Sequence, residues 1–299
     1  MKIVADPDRQ TWFDTAARMS FFPLQQDWEY GLAARWQGRD VRRFIALADD
    51  GAPIACLQAI GRRWLGFFEI WLGLRGPVGD MRAAGDFARA LPGWPFAARL
   101  LGPEMAAEPA NAARWLGHAR VHTGPTMALW RLDDADEAGL RARMKQKWRN
   151  RLATAERSNL RVELAPRGKW VKWVIEQADA LRAKKGFEAP SASFVSRLAE
   201  LKAARECLVA VALDKREPVA GALFLRHGRD ATYYVAASSD AGRKRNAANL
   251  VLWRAACALK EAGVRTLDLG VVETERSAGL ARFKLGTGAA PFELAGTYL

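Results

Sequence analysis

Hydrophobic and polar positions repeat along this chain with two periods, and the changes of period mark its elements. A short strand at Lys2–Val4 precedes "DRQTWFDTAARMS", which reads as a helix with Asp6 or Asp8 available as N-cap. In "FFPLQQDWEYGLAARWQG", Trp28 and Leu32 fall one helical turn apart and predict a helix with a core face. Three strands follow: "VRRFIALA", then "APIACLQAI" across the turn Asp49-Asp50-Gly51, then "GFFEIWLGLRG". A helix is predicted over Asp80–Leu91, then the Pro/Gly-rich "LPGWPF", a short helix within Glu108–Gly117, and a strand in "HTGPTMALWRL".

The next stretch, Asp133–Ser158, predicts one helix with Leu140, Met144, Trp148 and Leu152 on a single apolar stripe. Arg141, Lys145 and Arg149 flank one side of it; Arg143, Lys147 and Arg151 flank the other. A strand, "LRVELA", two helices and a meander ending in "ATYYVAAS" lead to the turn "SDAGRKRNAAN". In the following helix, Leu250–Ala262, the only charged residues are Arg254, Lys260 and Glu261, so it is expected to lie buried against a sheet. Its N-terminus, with free N–H groups and a positive dipole end, favours an anion. The chain closes with the strand "VRTLDLG", a helical "LARFK", the glycine-rich "LGTG" and the strand "APFELAGTYL". Both halves thus read as helices followed by a meander, an α/β (α+β) chain of two tandem units with mixed, largely antiparallel sheets around a central cleft.

Length and charge sharpen this picture. At 299 residues the chain is long for one core and suits two domains, 1–135 and 136–299, with the C-terminal strand packing back on the first. Lys and Arg number 46 against 33 Asp and Glu, a net +13 that points to an anionic partner: RNA, an acidic membrane surface or a phosphate-bearing substrate. The bland alternative is arginine supplied throughout by a GC-rich genome. Cys56, Cys207 and Cys257 stand apart in apolar runs and read as free thiols in a reducing compartment. With neither a signal-peptide pattern nor a run of membrane-spanning length, the expected place is the cytoplasm, including its membrane face. His118 and His122 have the spacing of zinc ligands, but Ala119 and Gly124-Pro125 break the motif, and no metal is expected.

No nucleophile elbow, Walker loop or dinucleotide fingerprint is present. Several segments instead resemble the FemAB family of peptidoglycan interpeptide-bridge aminoacyltransferases, and more broadly the GNAT-type N-acyltransferases. "LVLWRAACALKEAGVRTLDLG" resembles the family's helix–Gly–strand unit, and "RFKLGTG" its Phe-Lys-x-x-Phe-Gly loop, with Gly286-Thr287-Gly288 replacing the usual Phe-Gly. Gln25, Trp28 and Gly31, the tetrapeptide Arg75-Gly76-Pro77-Val78, and Lys147, Arg149 and Asn150 match further family segments. Arg243–Ala248 is similar to the GNAT pyrophosphate pattern Arg-x-x-Gly-x-Ala, with Asn246 in the glycine's place.

The resemblance implies N-acyl transfer from aminoacyl-tRNA to an amine of a peptidoglycan precursor, with no resident cofactor. Such a reaction needs an amine held near an activated carbonyl and a stabilised oxyanion, not a covalent nucleophile. Lys284 is the first candidate for catalysis, because the glycines of the loop after it would allow close backbone approach to a ligand, with Asp268 and Glu293 as candidate carboxylates. Candidate binding residues are Arg75, Trp28, Tyr233, Tyr234, Lys147, Arg149, Arg243, Asn246 and Asn249. Tyr233 and Tyr234 should alternate across their strand, one toward the core and one toward the cleft. Two other readings stay open: a GNAT-like enzyme using acyl-CoA or an acyl-carrier protein, and a non-catalytic module binding RNA or an anionic membrane through Arg141–Arg151.

Overall fold

The computed structural model describes residues 1–64, 68–91, 97–108, 110–111, 115, 118–186 and 189–299. It divides into two compact units: Met1–Thr126 with Phe292–Leu299, and Met127–Pro291. Much of the helix expected within Glu108–Gly117, and all but the first residue of "LPGWPF", lie outside the described residues.

In the first unit, β1 (Lys2–Ala5), α1 (Arg9–Arg18), α2 (Trp28–Trp36), β2 (Asp40–Leu47), β3 (Pro53–Trp64), β4 (Phe68–Gly73), β5 (Val78–Gly79), α3 (Met81–Ala90), β6 (Ala97–Leu101) and β7 (Arg120–His122) follow in order. Asp8 caps α1 by accepting from the Thr11 N–H at 2.9 Å, whereas Asp6 receives the Arg43 N–H. The expected closing strand is two strands. β14 (Ala290–Glu293) gives way to β15 (Thr297–Tyr298), which returns to the first unit's sheet in the order β1-β2-β3-β4-β6-β15-β7. Between them Gly296 sits at φ +127, where a Cβ would lie 2.4 Å from the His122 carbonyl oxygen. That close approach is what splits the strand.

Of the neighbouring amides Gln25 and Gln26, it is Gln26 that is buried, while Gln25 is half-buried. Gln26 is fully buried; its Nε2 donates to the carbonyls of Gln58 (3.2 Å) and Leu74 (2.8 Å), and its Oε1 accepts from the Gln58 N–H (2.6 Å). One side chain thereby satisfies main-chain groups from two neighbouring segments. Arg43, 3% exposed, donates to the Trp28 carbonyl and lies 3.6 Å from the centre of the Trp28 ring.

The second unit contains β8 (Thr126–Arg131), α4 (Glu137–Arg143), α5 (Gln146–Glu156), β9 (Leu160–Ala165), α6 (Lys169–Lys185), α7 (Ala192–Leu201), β10 (Cys207–Asp214), β11 (Glu217–His227), β12 (Asp230–Ser238), α8 (Asp240–Lys244), α9 (Ala247–Glu261), β13 (Thr266–Val271) and α10 (Ala278–Leu285). Its sheet order is β14-β8-β13-β12-β11-β10-β9. From β8 to β9 in that order, neighbours are antiparallel except β12 and β13, which α9 connects as a crossover. As its composition predicts, α9 is buried on most sides: Leu250, Val251, Leu252, Trp253, Ala255, Ala256 and Leu259 all join the core.

Two expectations are corrected here. The helix foreseen across Asp133–Ser158 is broken, because Met144 and Lys145 are extended, yet Leu140, Met144, Trp148 and Leu152 are all buried. The groups freed by the break find tertiary partners: the Lys145 N–H donates to the Gly286 carbonyl at 2.9 Å, and Arg149 donates to those of Ala142 and Met144. The basic turn before α9 contains a helix of its own, α8, capped by Ser239, and Asn246 then reverses the chain at φ +55.

Gln26→Ala removes the partner of three main-chain groups, two of them on buried Gln58. It is expected to cost roughly 2–4 kcal/mol, which thermal or denaturant unfolding would show as a lowered midpoint.

Candidate active site

β12 and β13 pair only over Asp230–Thr232 and Thr266–Asp268. Beyond Thr232, β12 continues along β11 while β13 bends away at a register shift between Asp268 and Val271. The two parallel strands therefore part, and a chamber of about 680 Å3 occupies the opening, walled by α6, α7 and α10. Most of its lining is apolar, including Val195, Val235, Leu269 and Leu280, with Lys284 and Arg276 among the charged exceptions.

A second irregularity decides which side chains reach it. The β11–β12 register shifts so that Leu223 faces Val235 and Phe224 faces Tyr233, leaving Tyr234 as the extra residue. The strict alternation expected of Tyr233 and Tyr234 is therefore corrected: the bulge breaks the period of two, and both tyrosines line the chamber. Burial raises the Tyr233 phenol well above its ordinary pKa of 10.0, so it is a neutral wall residue at neutral pH.

Lys284 is 7% exposed near the end of α10. Its ammonium donates to the Val271 carbonyl oxygen at 2.8 Å. Burial pushes its pKa down to about 8, against the opposing pull of the Asp268 carboxylate. Asp268, 1% exposed on β13, accepts the Gly270 N–H at 2.7 Å. Gly270 has φ +79, and its missing side chain leaves Nζ 3.4 Å from where a Cβ would stand. The bend of β13 thus places both its carbonyl and its carboxylate around one buried cation.

The glycines after Lys284 do not open a ligand loop, as the sequence suggests. Gly286 is close-packed against the indole: a Cβ there would meet Trp148 Cδ1 at 2.5 Å. Gly288 takes φ +92 beside the Arg143 carbonyl. Thr287, fully buried, donates to the Lys284 carbonyl at 2.7 Å and receives the Ala289 N–H at 3.1 Å. The turn is saturated by its own bonds and fixes the end of α10.

A cavity of about 560 Å3 adjoins the chamber at the start of α9 and shares Tyr233, Ala236, Gly279 and Leu280 with it. Arg243, Asn246 and Asn249 all line it. Arg243 is already engaged with Asp240 and the Ser238 carbonyl. Asn249 is 4% exposed, and among the described residues its amide nitrogen has no hydrogen-bond acceptor. That buried donor and the helix N-terminus form a setting for an anionic oxygen.

The remaining sequence candidates fall elsewhere. Lys147 is exposed on α5 beside a smaller pocket, while half-buried Arg149 is tied to the α4 carbonyls. Three lie in the first unit. Arg75 has φ +50 and a two-pronged pair with Glu104, Nε to Oε2 at 2.7 Å, with both side chains at most 10% exposed. Trp28 is half-buried under Arg43, and Glu293 is exposed at the end of β14. Sequence reasoning missed Gly270 and the Val271 carbonyl; the signal was the glycine two residues after a buried aspartate. It also missed Arg276 and Arg282, which only the path of α10 identifies.

The arrangement suits acyl transfer: an apolar chamber, an inward cation and an adjoining anion setting. The second unit is also where the sequence matches a known family, Acetyltransferase (GNAT) domain, over residues 139–293. Among curated proteins none matches. Of solved structures, FemX superposes with a TM-score of 0.84 at 15% identity, covering 100% of this chain and 96% of that one. L-PGS from Bacillus licheniformis superposes at 0.54 with 16% identity (98% and 91%), and a tandem GNAT protein from the clavulanic acid biosynthesis pathway at 0.53 with 12% (99% and 98%). These structural likenesses give the fold, two GNAT-like units in one chain. The family match spans just over half the chain and carries the activity class: the protein is an acyltransferase and belongs to the GNAT acetyltransferase family.

Proposed function

We propose that this chain transfers an aminoacyl group from aminoacyl-tRNA to an amine of a peptidoglycan precursor. The observation that carries the reading is Lys284, a cation held at the wall of an otherwise largely apolar chamber by one carbonyl bond. The acceptor amine attacks the ester carbonyl carbon, the C–N bond forms, and the electron pair moves to the carbonyl oxygen. The Lys284 ammonium stabilises that oxyanion in surroundings poor in water, where such a charge counts most. As the carbonyl re-forms, the C–O bond to the ribose breaks, and the proton lost by the amine ends on the departing hydroxyl. Asp268 acts at one remove, favouring the charged form of Lys284. The likeness to FemX and the net charge of +13 support the donor and acceptor classes.

A second reading, transfer from acyl-CoA, is favoured by one feature: the α9 N-terminus with the Asn249 amide, which would receive a pyrophosphate. Incubating the purified chain with charged tRNA or with acyl-CoAs, each with cell-wall precursors, separates the two. Consumption of charged tRNA with a new amide on the precursor is expected. Consumption of acyl-CoA alone would replace the first reading by the second.

Lys284→Met keeps the volume of the side chain and removes its charge. Turnover is expected to fall about 10²–10³-fold, the cost of losing one preorganised oxyanion donor. Stability is expected to move the other way. Because the folded-state pKa of about 8 lies below the ordinary 10.5, the unfolded chain holds more protons on this lysine between those values, and the contribution of Lys284 to stability rises with pH across that window. Denaturation of wild type and Lys284→Met at pH 7 and pH 10 should show the wild type gaining on the variant by that contribution, whatever the other groups do to both. At pH 7 the variant is expected to be at least as stable.

The same shift sets the pH profile. If the ammonium form is the working one, kcat falls as pH rises through about 8. Lys284→Arg, charged throughout, is expected to move that alkaline limb up by more than one pH unit. A limb left in place would assign it to another group.

A further inference from the structure

The chain sets cations where a helix end is already positive. The N-cap of α5 is Lys145, which makes no side-chain capping bond, and the first turn holds Lys147 and no acidic residue. A lysine N-cap lacks the oxygen acceptor that Ser, Thr, Asp or Asn supplies, and a first-turn cation meets the helix dipole like to like. Packing does not require either residue, since both side chains are exposed. The same end of α5 forms, with α10, a pocket of about 260 Å3 lined by Lys145, Lys147, Trp148, Arg151, Arg282 and Gly286. Among the described residues, none of its four cations is ion-paired, whereas nearby Arg141 and Arg143 pair with Glu156 and Asp134.

The floor of this pocket is fixed. Trp148 donates to the Phe283 carbonyl at 3.0 Å, the Lys145 N–H donates to that of Gly286, and Gly286 packs tightly against the indole. α10 stands between pocket and chamber, with Arg282 on the first and Lys284 on the second. Arg151 lines both this pocket and the cavity at the start of α9. Two anion-attracting poles joined by one arginine suit a chain of successive phosphates better than a single one.

We propose that this pocket seats the phosphodiester backbone of the donor RNA just before its acylated 3′ end. The proposal rests on the aminoacyl-tRNA reading above. Two poles of positive charge would hold the strand while its ester enters the chamber beside Lys284.

The test is fluorescence anisotropy of a labelled, uncharged stem-loop RNA with a single-stranded 3′ tail, titrated with the full chain at several salt concentrations. Lys147→Ala combined with Arg151→Ala is expected to weaken binding at least tenfold and flatten the salt slope by about 0.7 for each phosphate no longer neutralised. Lys145→Asp, which restores a favourable cap, is expected to weaken binding at least tenfold while raising Tm by about 2–4 °C. That opposite movement cannot come from misfolding. Unchanged affinity and slope in both variants overturn the proposal. So does a loss seen with coenzyme A, and abolished by removing its 3′-phosphate, when wild-type protein does not bind the RNA. Uncharged RNA needs no turnover, so wild-type protein that binds RNA here yet never uses charged tRNA supports the pocket and sinks the donor reading. Active transfer from charged tRNA with unaltered RNA binding in the variants does the reverse.

Discussion

A lysine ammonium that is 7% exposed must be held, and much of the second unit's irregularity follows from holding Lys284. Regular β-pairing of β13 with β12 would commit the backbone of both strands to each other. Instead β13 bends at Gly270, presents the Val271 carbonyl to Nζ, and brings the Asp268 carboxylate near enough to oppose the effect of burial. The bend that satisfies the cation also opens the sheet. Chamber and charge are two results of one departure from strand geometry. A fully neutralising ion pair would have suited stability better but would leave less of the charge for the oxyanion role proposed for Lys284.

The elements that the sequence revealed are those with a strong local period. The burial of α9 could be read from its near absence of charge, and the stripe Leu140, Met144, Trp148 and Leu152 from its spacing. Lys284, Tyr233 and Asn249 could be named from resemblance and position, and the structure brings all three to the lining of two adjoining cavities. What stayed hidden depends on contacts between distant segments. No period predicts that Met144 and Lys145 leave the helix, because the break is set by the Gly286 carbonyl over a hundred residues away. Nor does the composition of "YYV" disclose that the strand carries an extra residue opposite Leu223–Phe224, which turns both tyrosines to one cavity. The glycines of "LGTG" read as an opening for a ligand; they are openings for Trp148 and for the Arg143 carbonyl.

The broken helix shows why the distinction matters for function. Had residues 133–158 formed one helix, Arg149 and Arg151 would be alike, two cations on its opposite flanks. The break separates them. Arg149 folds back to satisfy the carbonyls that the interruption leaves at the end of α4, while Arg151 extends to the pocket beside α10. The break also gives α5 a second N-terminus in the middle of a basic segment, so that Lys145 and Lys147 sit on the positive pole of a new dipole. Charge that would be diffuse on a continuous helix becomes concentrated at one place.

Asn246 bears on how far the α9 end can serve a donor of its own. A glycine there would let a phosphate approach the backbone closely; asparagine keeps the left-handed turn, φ +55, but adds a side chain to the cavity wall. Arg243, the nearby cation, is drawn off by Asp240 and the Ser238 carbonyl. What remains at this pole is the helix terminus, the Asn249 amide and Arg151 at the edge shared with the basic pocket. Such a pole is weakly charged next to its neighbour, where four cations converge. The balance between them supports the proposed donor, which spreads its negative charge along a strand, over one that concentrates it in a single pyrophosphate.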